Sequence, residues 1–283
     1  MRKDIVLPAL ALAGGAAGLL LRIWQRVQAL DPVTQLYNAG APSSLALLAL
    51  AIVMAVLSLV LCRGGREISA PEKAFLCPYP AYMTLMTAAA MAFLLAAAAG
   101  MPQFMQELQA WQLDSEYHAL PAALFLSQLG CVAAAVGSLT LGRSNYRLLT
   151  GPQTRIWAAL PAYGALPWLV SQYQNYSRDP DLTHSYVPIL ACVCLLLALY
   201  YQAACYFARP RFGRCIFFAV MGVFFGMTSL ADGQTPFYTL ACAAFVLCAL
   251  ATLTALCRCR FGPPPPKRLL EDKTPEDDSQ AQA

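Results

Sequence analysis

Residues 206–215 read YFARPRFGRC, a short cationic stretch between two long apolar runs. It contains Arg209, Arg211 and Arg214 and no acidic residue. Lys and Arg collect in the cytoplasmic loops of membrane proteins, because cationic loops are translocated poorly. The stretch therefore predicts a tight inner turn between two transmembrane helices, in which phospholipid head groups are the counterions of the arginines.

The composition of the whole chain agrees with a membrane location. Hydrophobic residues make up 59% of the 283 residues and charged residues only 12%, whereas soluble domains are about half apolar and about a quarter charged. So few charged side chains cannot coat the surface of a soluble globule of this size. Composition therefore places the chain in the membrane class.

The apolar runs have the lengths of membrane helices. A bilayer core needs about 20 consecutive apolar residues per helix, and the runs do not alternate apolar with polar residues as the strands of a membrane barrel do. The fold class that we predict is an all-α membrane protein with eight transmembrane helices. The predicted spans are residues 5–24, 43–62, 81–101, 119–141, 156–173, 186–207, 215–230 and 236–257.

The orientation follows from the distribution of the 19 Lys and Arg residues. With the N-terminus inside, every one of them except Arg22, Arg26 and Arg178 falls on the inner side. A wrong number of helices would disturb this alternation, so the distribution supports eight spans with both termini in the cytoplasm. We expect the cytoplasmic membrane as the location.

The start of the chain admits a second interpretation. Arg2 and Lys3 precede an apolar stretch rich in small residues, as in a secretory signal peptide. The stretch is long, however, and it ends in Leu-Leu-Leu-Arg without a clear small-x-small cleavage site. We therefore expect it to be retained as the first helix.

The chain divides into one membrane domain, residues 1–260, and a predicted disordered cytoplasmic tail, residues 261–283, which is rich in proline and charge. A faint repeat divides the membrane domain into two halves of four helices. Leu7-Pro8-Ala9 matches Leu160-Pro161-Ala162, and Asp31-Pro32 matches Asp179-Pro180. Halves with an even number of helices share one orientation, so the repeat would be parallel.

Glycine and proline interrupt helices one and five at similar depths. Proline removes a backbone donor and bends a helix, and matched breaks in the two halves of a transporter mark its central site. The alternative is that the glycines form close-packing GxxxG faces and that the prolines are ordinary in membrane helices. The candidate binding residues are Gly14, Gly15, Gly18, Pro161, Tyr163, Gly164, Pro167 and Trp168.

Two loops on the predicted outer side combine carboxylates with the two histidines of the chain. Such ligands suit a divalent cation, and histidine titrates near neutral pH, but neither spacing matches an established metal motif. A solvated loop is the alternative interpretation. This outer acidic and histidine cluster consists of Asp114, Glu116, His118, Asp179, Asp181 and His184.

Strongly polar residues are scarce in the predicted spans. The helix centres contain no Asp, Glu, Lys or Arg, which disfavours a proton-driven antiporter and a channel lined by charged rings. Gln128, Gln172 and Gln202 are the largest polar residues in or near the spans, and their amides can hydrogen-bond across helices. The sequence contains no H-E-x-x-H, P-loop or G-x-S-x-G motif, and we predict no catalytic residue, metal or cofactor.

The Ala- and Leu-rich spans, short arginine turns and short charged tail resemble those of bacterial multi-pass membrane proteins. This resemblance implies a cytoplasmic membrane location and no particular activity. Three functions stay open: a small-molecule permease or transporter subunit, a non-transporting scaffold or regulator, and thirdly a membrane-embedded enzyme acting on lipid or envelope precursors. The expected partners are the lipid bilayer and either a second copy or other membrane subunits, and nucleic acid is not expected.

Overall fold

The computed structural model describes residues 2–29, 40–66, 68, 70–113, 120–177 and 182–263, without the side chains of 182–185. These residues form eight long helices and two short 3-10 turns, Pro71–Phe75 and Leu230–Asp232, which confirms the predicted all-α class. The helices are α1 Lys3–Gln28, α2 Pro42–Leu61, α3 Pro80–Leu113, α4 Ala122–Tyr146, α5 Pro152–Tyr176, α6 Leu182–Tyr206, α7 Phe212–Ser229 and α8 Pro236–Phe261. The predicted tail from residue 264 onward lies outside the described residues.

The cationic stretch at residues 206–215 is a tight turn, as the sequence predicts. Helix α6 ends at Tyr206 and α7 begins at Phe212. Ala208 has a φ of 57°, a left-handed conformation that commonly terminates a helix. Pro210 follows, and a proline disfavours helical backbone in the residue before it. Both local signals therefore end α6 directly before the arginines.

Seven of the eight helices are long and apolar enough to cross a membrane, and α5 is not among them. The reason is its composition, because Pro161, Gly164, Pro167 and a polar last third lower its mean hydropathy. With 25 residues it is nevertheless about 38 Å long, more than the roughly 30 Å of a hydrocarbon core. The crossing of the membrane by α5 stays a prediction.

Helix ends from both halves of the chain meet at one end of the bundle. The Lys3 amine at the start of α1 donates a hydrogen bond to the carbonyl oxygen of Arg63, after α2, at 3.1 Å. The backbone N–H of Arg66 donates to the carbonyl oxygen of Arg260, near the end of α8, also at 3.1 Å. The two ends of the described chain therefore lie together, and we call this end the arginine-rich end.

A buried asparagine joins three further helices at the arginine-rich end. Asn145 near the end of α4 donates from Nδ2 to the Tyr82 hydroxyl at 2.9 Å, and it accepts from the Tyr206 hydroxyl at 2.9 Å. Its carbonyl oxygen accepts the backbone N–H of Cys77 at 3.2 Å. These contacts place the start of α3 beside the ends of α4 and α6, as an up-and-down bundle requires.

The helices are unequally buried. In α7 and α8, 72% and 78% of the apolar segment is buried, against 17% in α2. Helices α7 and α8 therefore form the centre, and α2 lies at the periphery, where its apolar side chains face outward. An apolar outward surface is what a bilayer environment requires, and the fold identifies the bilayer as the surroundings of this bundle.

Two helix interfaces lack the counterparts that the predicted repeat of four plus four helices requires. Helix α1 packs on α7 and α3 packs on α8. The repeat makes α1 equivalent to α5, α3 to α7 and α4 to α8. It therefore predicts a contact between α5 and α3 that matches α1 on α7, and one between α7 and α4 that matches α3 on α8. Within the described residues neither of those two pairs forms an extensive interface, so the repeat stays an unsupported prediction.

Candidate functional site

The predicted binding residues of α5 lie on different faces of the helix. Tyr163 is 67% exposed on the outside of the bundle, whereas Trp168 is only 1% exposed and lies inside. Tyr163 lines an apolar cavity of about 750 Å³ between α5 and α6, which we call the α5–α6 groove. Its lining comprises Ala159, Ala162, Tyr163, Leu166, Leu196, Leu197, Tyr200, Ala203, Ala204, Phe207 and Arg209.

Gly164 and both prolines of α5 face α4. A Cβ built on Gly130 of α4 would lie 2.9 Å from the carbonyl oxygen of Gly164, and one built on Gly164 would collide with the carbonyl oxygen of Gly130. Pro167 contacts the same position, and Pro161 lies against Gly137, two helical turns further along α4. These residues hold α4 and α5 in very close contact, which is the packing role of small residues in membrane helices.

The glycines of α1 contact neighbouring helices rather than those of α5. A Cβ on Gly14 would meet the side chain of Met54 on α2, and one on Gly15 would meet Met227 on α7. Gly18 lies against Thr228, also on α7. The matched helix breaks of the sequence are therefore not brought together into one cavity in this structure.

The outer acidic and histidine cluster falls where the structure gives no side chains. Asp114, Glu116, His118, Asp179 and Asp181 lie outside the described residues, and His184 lies in α6 without a described side chain. Among the side chains that are described, no three of the types His, Cys, Asp and Glu come together as a metal-ligand group. The predicted cluster stays a prediction.

A different polar site lies at the end of the bundle opposite the arginine-rich end. It is a cavity of about 350 Å³ between the end of α3, the start of α4, the end of α5 and the start of α8. We call it the polar pocket. Its lining comprises Gln106, Glu107, Ala110, Leu120, Pro121, Leu124, Ser171, Gln174, Asn175 and Tyr238.

A hydrogen-bonded pair closes the inner side of the polar pocket. The hydroxyl oxygens of Ser171 and Tyr238 are 2.7 Å apart, and the Tyr238 hydroxyl also reaches the backbone carbonyl oxygen of Ser171 at 3.3 Å. Both residues are at most 3% exposed. The pair joins α5 to α8 and separates the pocket from the packed interior.

The single carboxylate in the described lining of the pocket is held by a chain of side chains. Gln103 donates from Nε2 to Oε1 of Glu107 at 3.0 Å, and Thr235 donates its hydroxyl to Oε1 of Gln103 at 3.0 Å. Glu107 is exposed, so its charge is available at the mouth of the pocket. The glutamine orients the carboxylate without neutralising it.

Beyond the Ser171–Tyr238 pair, three buried side chains have polar atoms without hydrogen-bond partners among the described residues. These atoms are Nε2 of Gln128, Nε1 of Trp168 and Oε1 of Gln172. Gln128 lies one turn deeper than the pocket residue Leu124 on α4, and Trp168 lies one turn deeper than Ser171 on α5. A buried polar atom without a partner costs about 1–3 kcal/mol, and native proteins contain few of them.

The packing around these atoms fixes their side chains. Trp168 stacks on Phe245 of α8 with ring centroids 4.6 Å apart. Gln128 lies between α3 and α8, since a Cβ on Gly100 would be 2.7 Å from its Nε2 and 2.9 Å from a ring carbon of Phe237. The polar atoms of Trp168 and Gln128 therefore belong to closely packed side chains one turn deeper than the pocket.

A buried ion pair near the same end of the bundle is a feature that the sequence interpretation missed. Nε of Arg22 on α1 lies 2.6 Å from Oδ1 of Asp232, and both side chains are fully buried. Arg22 also donates to Oε1 of Gln25 at 2.8 Å. The distribution of charge had assigned Arg22 to the outer side of the membrane, but it could not reveal the ion pair, because the partner comes from the distant turn after α7.

The fold and its apolar outer surface define the class of this protein. Seven helices of membrane-spanning length and composition, packed together with α5 in one bundle, make the chain an all-α, multi-pass integral membrane protein. Comparison with protein-family models, with curated proteins and with solved structures finds no match to the chain. Its function is therefore argued from the site alone.

Proposed function

We propose that this integral membrane protein is a permease for a small polar solute that carries a positive charge, and that the polar pocket is where the solute binds. The observation that supports this proposal is the set of unpartnered buried polar atoms on Gln128 and Trp168, one turn deeper than the pocket, and on Gln172, next to the pocket residue Ser171. A protein that only needed a stable bundle would have apolar side chains there, because water is absent from the bilayer core.

The hydrogen-bonding character of these atoms defines what the solute must offer. Nε2 of Gln128 and Nε1 of Trp168 are donors, whereas Oε1 of Gln172 is an acceptor. A solute that satisfies them must therefore offer acceptors to Gln128 and Trp168 and a donor to Gln172. Gln172 is already oriented, since its Nε2 donates to Oε1 of Gln234 at 3.0 Å.

The charge of the solute follows from Glu107. This carboxylate is the one acidic group in the described lining of the pocket, and a carboxylate attracts an ammonium or guanidinium group. The volume of about 350 Å³ is at the lower end of the range for ligand pockets, roughly 300–1,000 Å³. An amine or an amino acid meets both conditions.

Helix α5 is the element whose movement would let a solute in the polar pocket reach the deeper polar atoms. Pro161 and Pro167 lie inside it, and each removes one backbone hydrogen bond, so the helix bends with little cost. The Gly130–Gly164 contact ties α4 to α5. Movement of this pair relative to α8 would separate Ser171 from Tyr238 and expose the polar atoms beneath them.

The proposal is tested by ligand-induced stabilisation of the purified full chain in detergent. The probes are the standard amino acids, their decarboxylated amines and, as a charge control, the matching carboxylic acids. We expect a saturable increase in Tm with one amine or amino acid, because a ligand that binds only the folded state stabilises it. Uptake of the same labelled compound into proteoliposomes then tests transport.

Two variants and one matched control locate the site. Glu107→Gln and Gln128→Leu are expected to weaken binding at least tenfold, whereas Gln202→Leu leaves it unchanged. Gln202 is also a buried glutamine with an unpartnered Nε2, but it accepts a hydrogen bond from Thr252 near the arginine-rich end. Equal binding by the control and by both variants, or no stabilisation by any probe, would contradict the proposal.

A further inference from the structure

The α5–α6 groove lies on the outside of the bundle and has no place in the proposed function. Tyr163 and Tyr200 on its walls are 67% and 56% exposed, and in a membrane protein such a surface contacts lipid acyl chains. We propose that the α5–α6 groove binds one anionic phospholipid, with an acyl chain in the groove and the phosphate on Arg209. This site is independent of the polar pocket.

The groove exists because small side chains line its floor. Ala159 and Ala162 on α5 face Ala203 and Ala204 on α6, and larger residues would fill the space between the two helices. The larger side chains of Tyr163 on α5 and Phe207 after α6 also line the groove. An acyl chain fits such a channel because dispersion contacts with both walls add up along its length.

The groove has the length of one leaflet. Its lining on α6 extends from Leu196 to Phe207, which corresponds to about 17 Å along the helix axis. Half of a hydrocarbon core is about 15 Å. The groove starts at the arginine-rich end and stops near the middle of α6, so it covers one leaflet and does not extend into the second.

Positive charge is found only at the head-group end of the groove lining. Arg209 is exposed, follows the end of α6 and is the one charged residue in the lining. Arg155 lies one turn before Ala159 on α5, where four-residue spacing places both on one helix face. Its guanidinium is 3.8 Å from the carboxylate of Glu72 in an exposed pair, which leaves Arg209 as the main phosphate ligand.

The same charge argues against a second copy of the chain as the occupant. A symmetric dimer joined through this groove in one membrane would bring Arg209 of each copy close to its equivalent. Like charges opposed across an interface disfavour association. A phosphate supplies the opposite charge at the same position, so the occupant that the geometry favours is a lipid.

The experiment is native mass spectrometry of the full chain after delipidation in detergent, with phosphatidylglycerol or phosphatidylcholine added back. We expect one phosphatidylglycerol to bind at least fivefold more tightly than phosphatidylcholine. Arg209→Gln should abolish this preference, because one basic residue near an anionic head group contributes about fivefold in affinity. Arg147→Gln, an exposed arginine at the same end outside the groove lining, should leave the preference unchanged.

A second pair of variants tests the groove itself. Ala162→Trp fills the floor and should remove the retained lipid, whereas Ala88→Trp, at an exposed alanine of α3, should not. Unchanged retention in Ala162→Trp or an unchanged preference in Arg209→Gln would overturn the proposal. A dimer in the unchanged chain that Ala162→Trp converts to monomer would overturn it as well, by identifying the groove as an interface between copies.

Discussion

At the scale of single residues, the Arg22–Asp232 pair is the strongest electrostatic feature of the described structure. Its two side chains are fully buried and 2.6 Å apart. Removing both charges from water is expensive, and their attraction repays that cost only while both are present. The pair therefore specifies how the end of α1 docks on the turn after α7 more than it adds net stability.

Asp232→Asn is expected to destabilise the folded chain by about 3–5 kcal/mol, because it removes the carboxylate from a buried ion pair with Arg22. The free energy of unfolding is measured by reversible denaturation of the purified protein in mixed detergent micelles. The double variant Arg22→Met with Asp232→Leu should recover most of the loss.

The exposed pair of Arg155 and Glu72, with 3.8 Å between charged atoms, is the matched control. Arg155→Gln should change the free energy of unfolding by less than about 1 kcal/mol, since exposed ion pairs contribute little. A loss as large as that of Asp232→Asn would show that burial of the Arg22–Asp232 pair does not explain the loss of stability in Asp232→Asn.

Gln128→Leu is expected to raise the free energy of unfolding by about 1 kcal/mol while it weakens solute binding. The amide nitrogen of Gln128 has no partner among the described residues, and replacing an unpartnered buried polar group by an apolar one of similar shape is neutral or stabilising. Denaturation and ligand binding are measured on the same preparation. A destabilised variant would indicate that the amide has a structural role.

At the scale of helices, the sequence predicts the existence of all eight elements but not their ends or faces. The predicted span 81–101 corresponds to the helix Pro80–Leu113, because the segment after Pro102 is rich in good helix formers such as Gln, Leu and Met. The polar pocket was missed partly for the same reason, since Gln106, Glu107 and Ala110 lie on the part of α3 beyond the predicted span. Apolar length locates a membrane helix, whereas contacts between distant segments decide which of its faces is buried.

The crossing of α4 and α5 depends on a glycine at each contact position. Gly164→Ala is expected to destabilise the chain by about 1–3 kcal/mol, as for other overpacked interiors, because its Cβ would collide with the carbonyl oxygen of Gly130. Gly213→Ala in α7 is the control, since nothing lies within 4 Å of a Cβ there. The measurement is thermal denaturation, and equal Tm values for the two variants would contradict the close crossing.

At the scale of the whole molecule, the described structure has both ends of the chain at the arginine-rich end. The distribution of Lys and Arg predicts that this end faces the cytoplasm, and helix packing alone cannot test that orientation. Only the distribution of charge in the sequence predicts which end of the bundle faces the cytoplasm. The sequence does not predict which helices are neighbours, because nearly all spans are similarly apolar. The unsupported repeat is an example of this limit.

Orientation and the crossing of α5 are tested together by cysteine labelling. On a background without native cysteines, Arg147→Cys and Ser177→Cys place thiols on the two sides of α5. A membrane-impermeant thiol reagent should label Arg147→Cys only in inverted vesicles and Ser177→Cys only in intact cells. Reversed labelling would contradict the orientation, and labelling of both from one side would show that α5 does not cross.

The long sequence separation of the buried ion pair has a consequence for how the chain is made. Arg22 and Asp232 are 210 residues apart, and a ribosome adds about 5–20 residues per second, so the guanidinium is synthesised roughly 10–40 s before its carboxylate. During that interval the guanidinium of Arg22 lacks this carboxylate partner. The first helix therefore completes this contact only after the seventh helix and the turn that follows it have been translated.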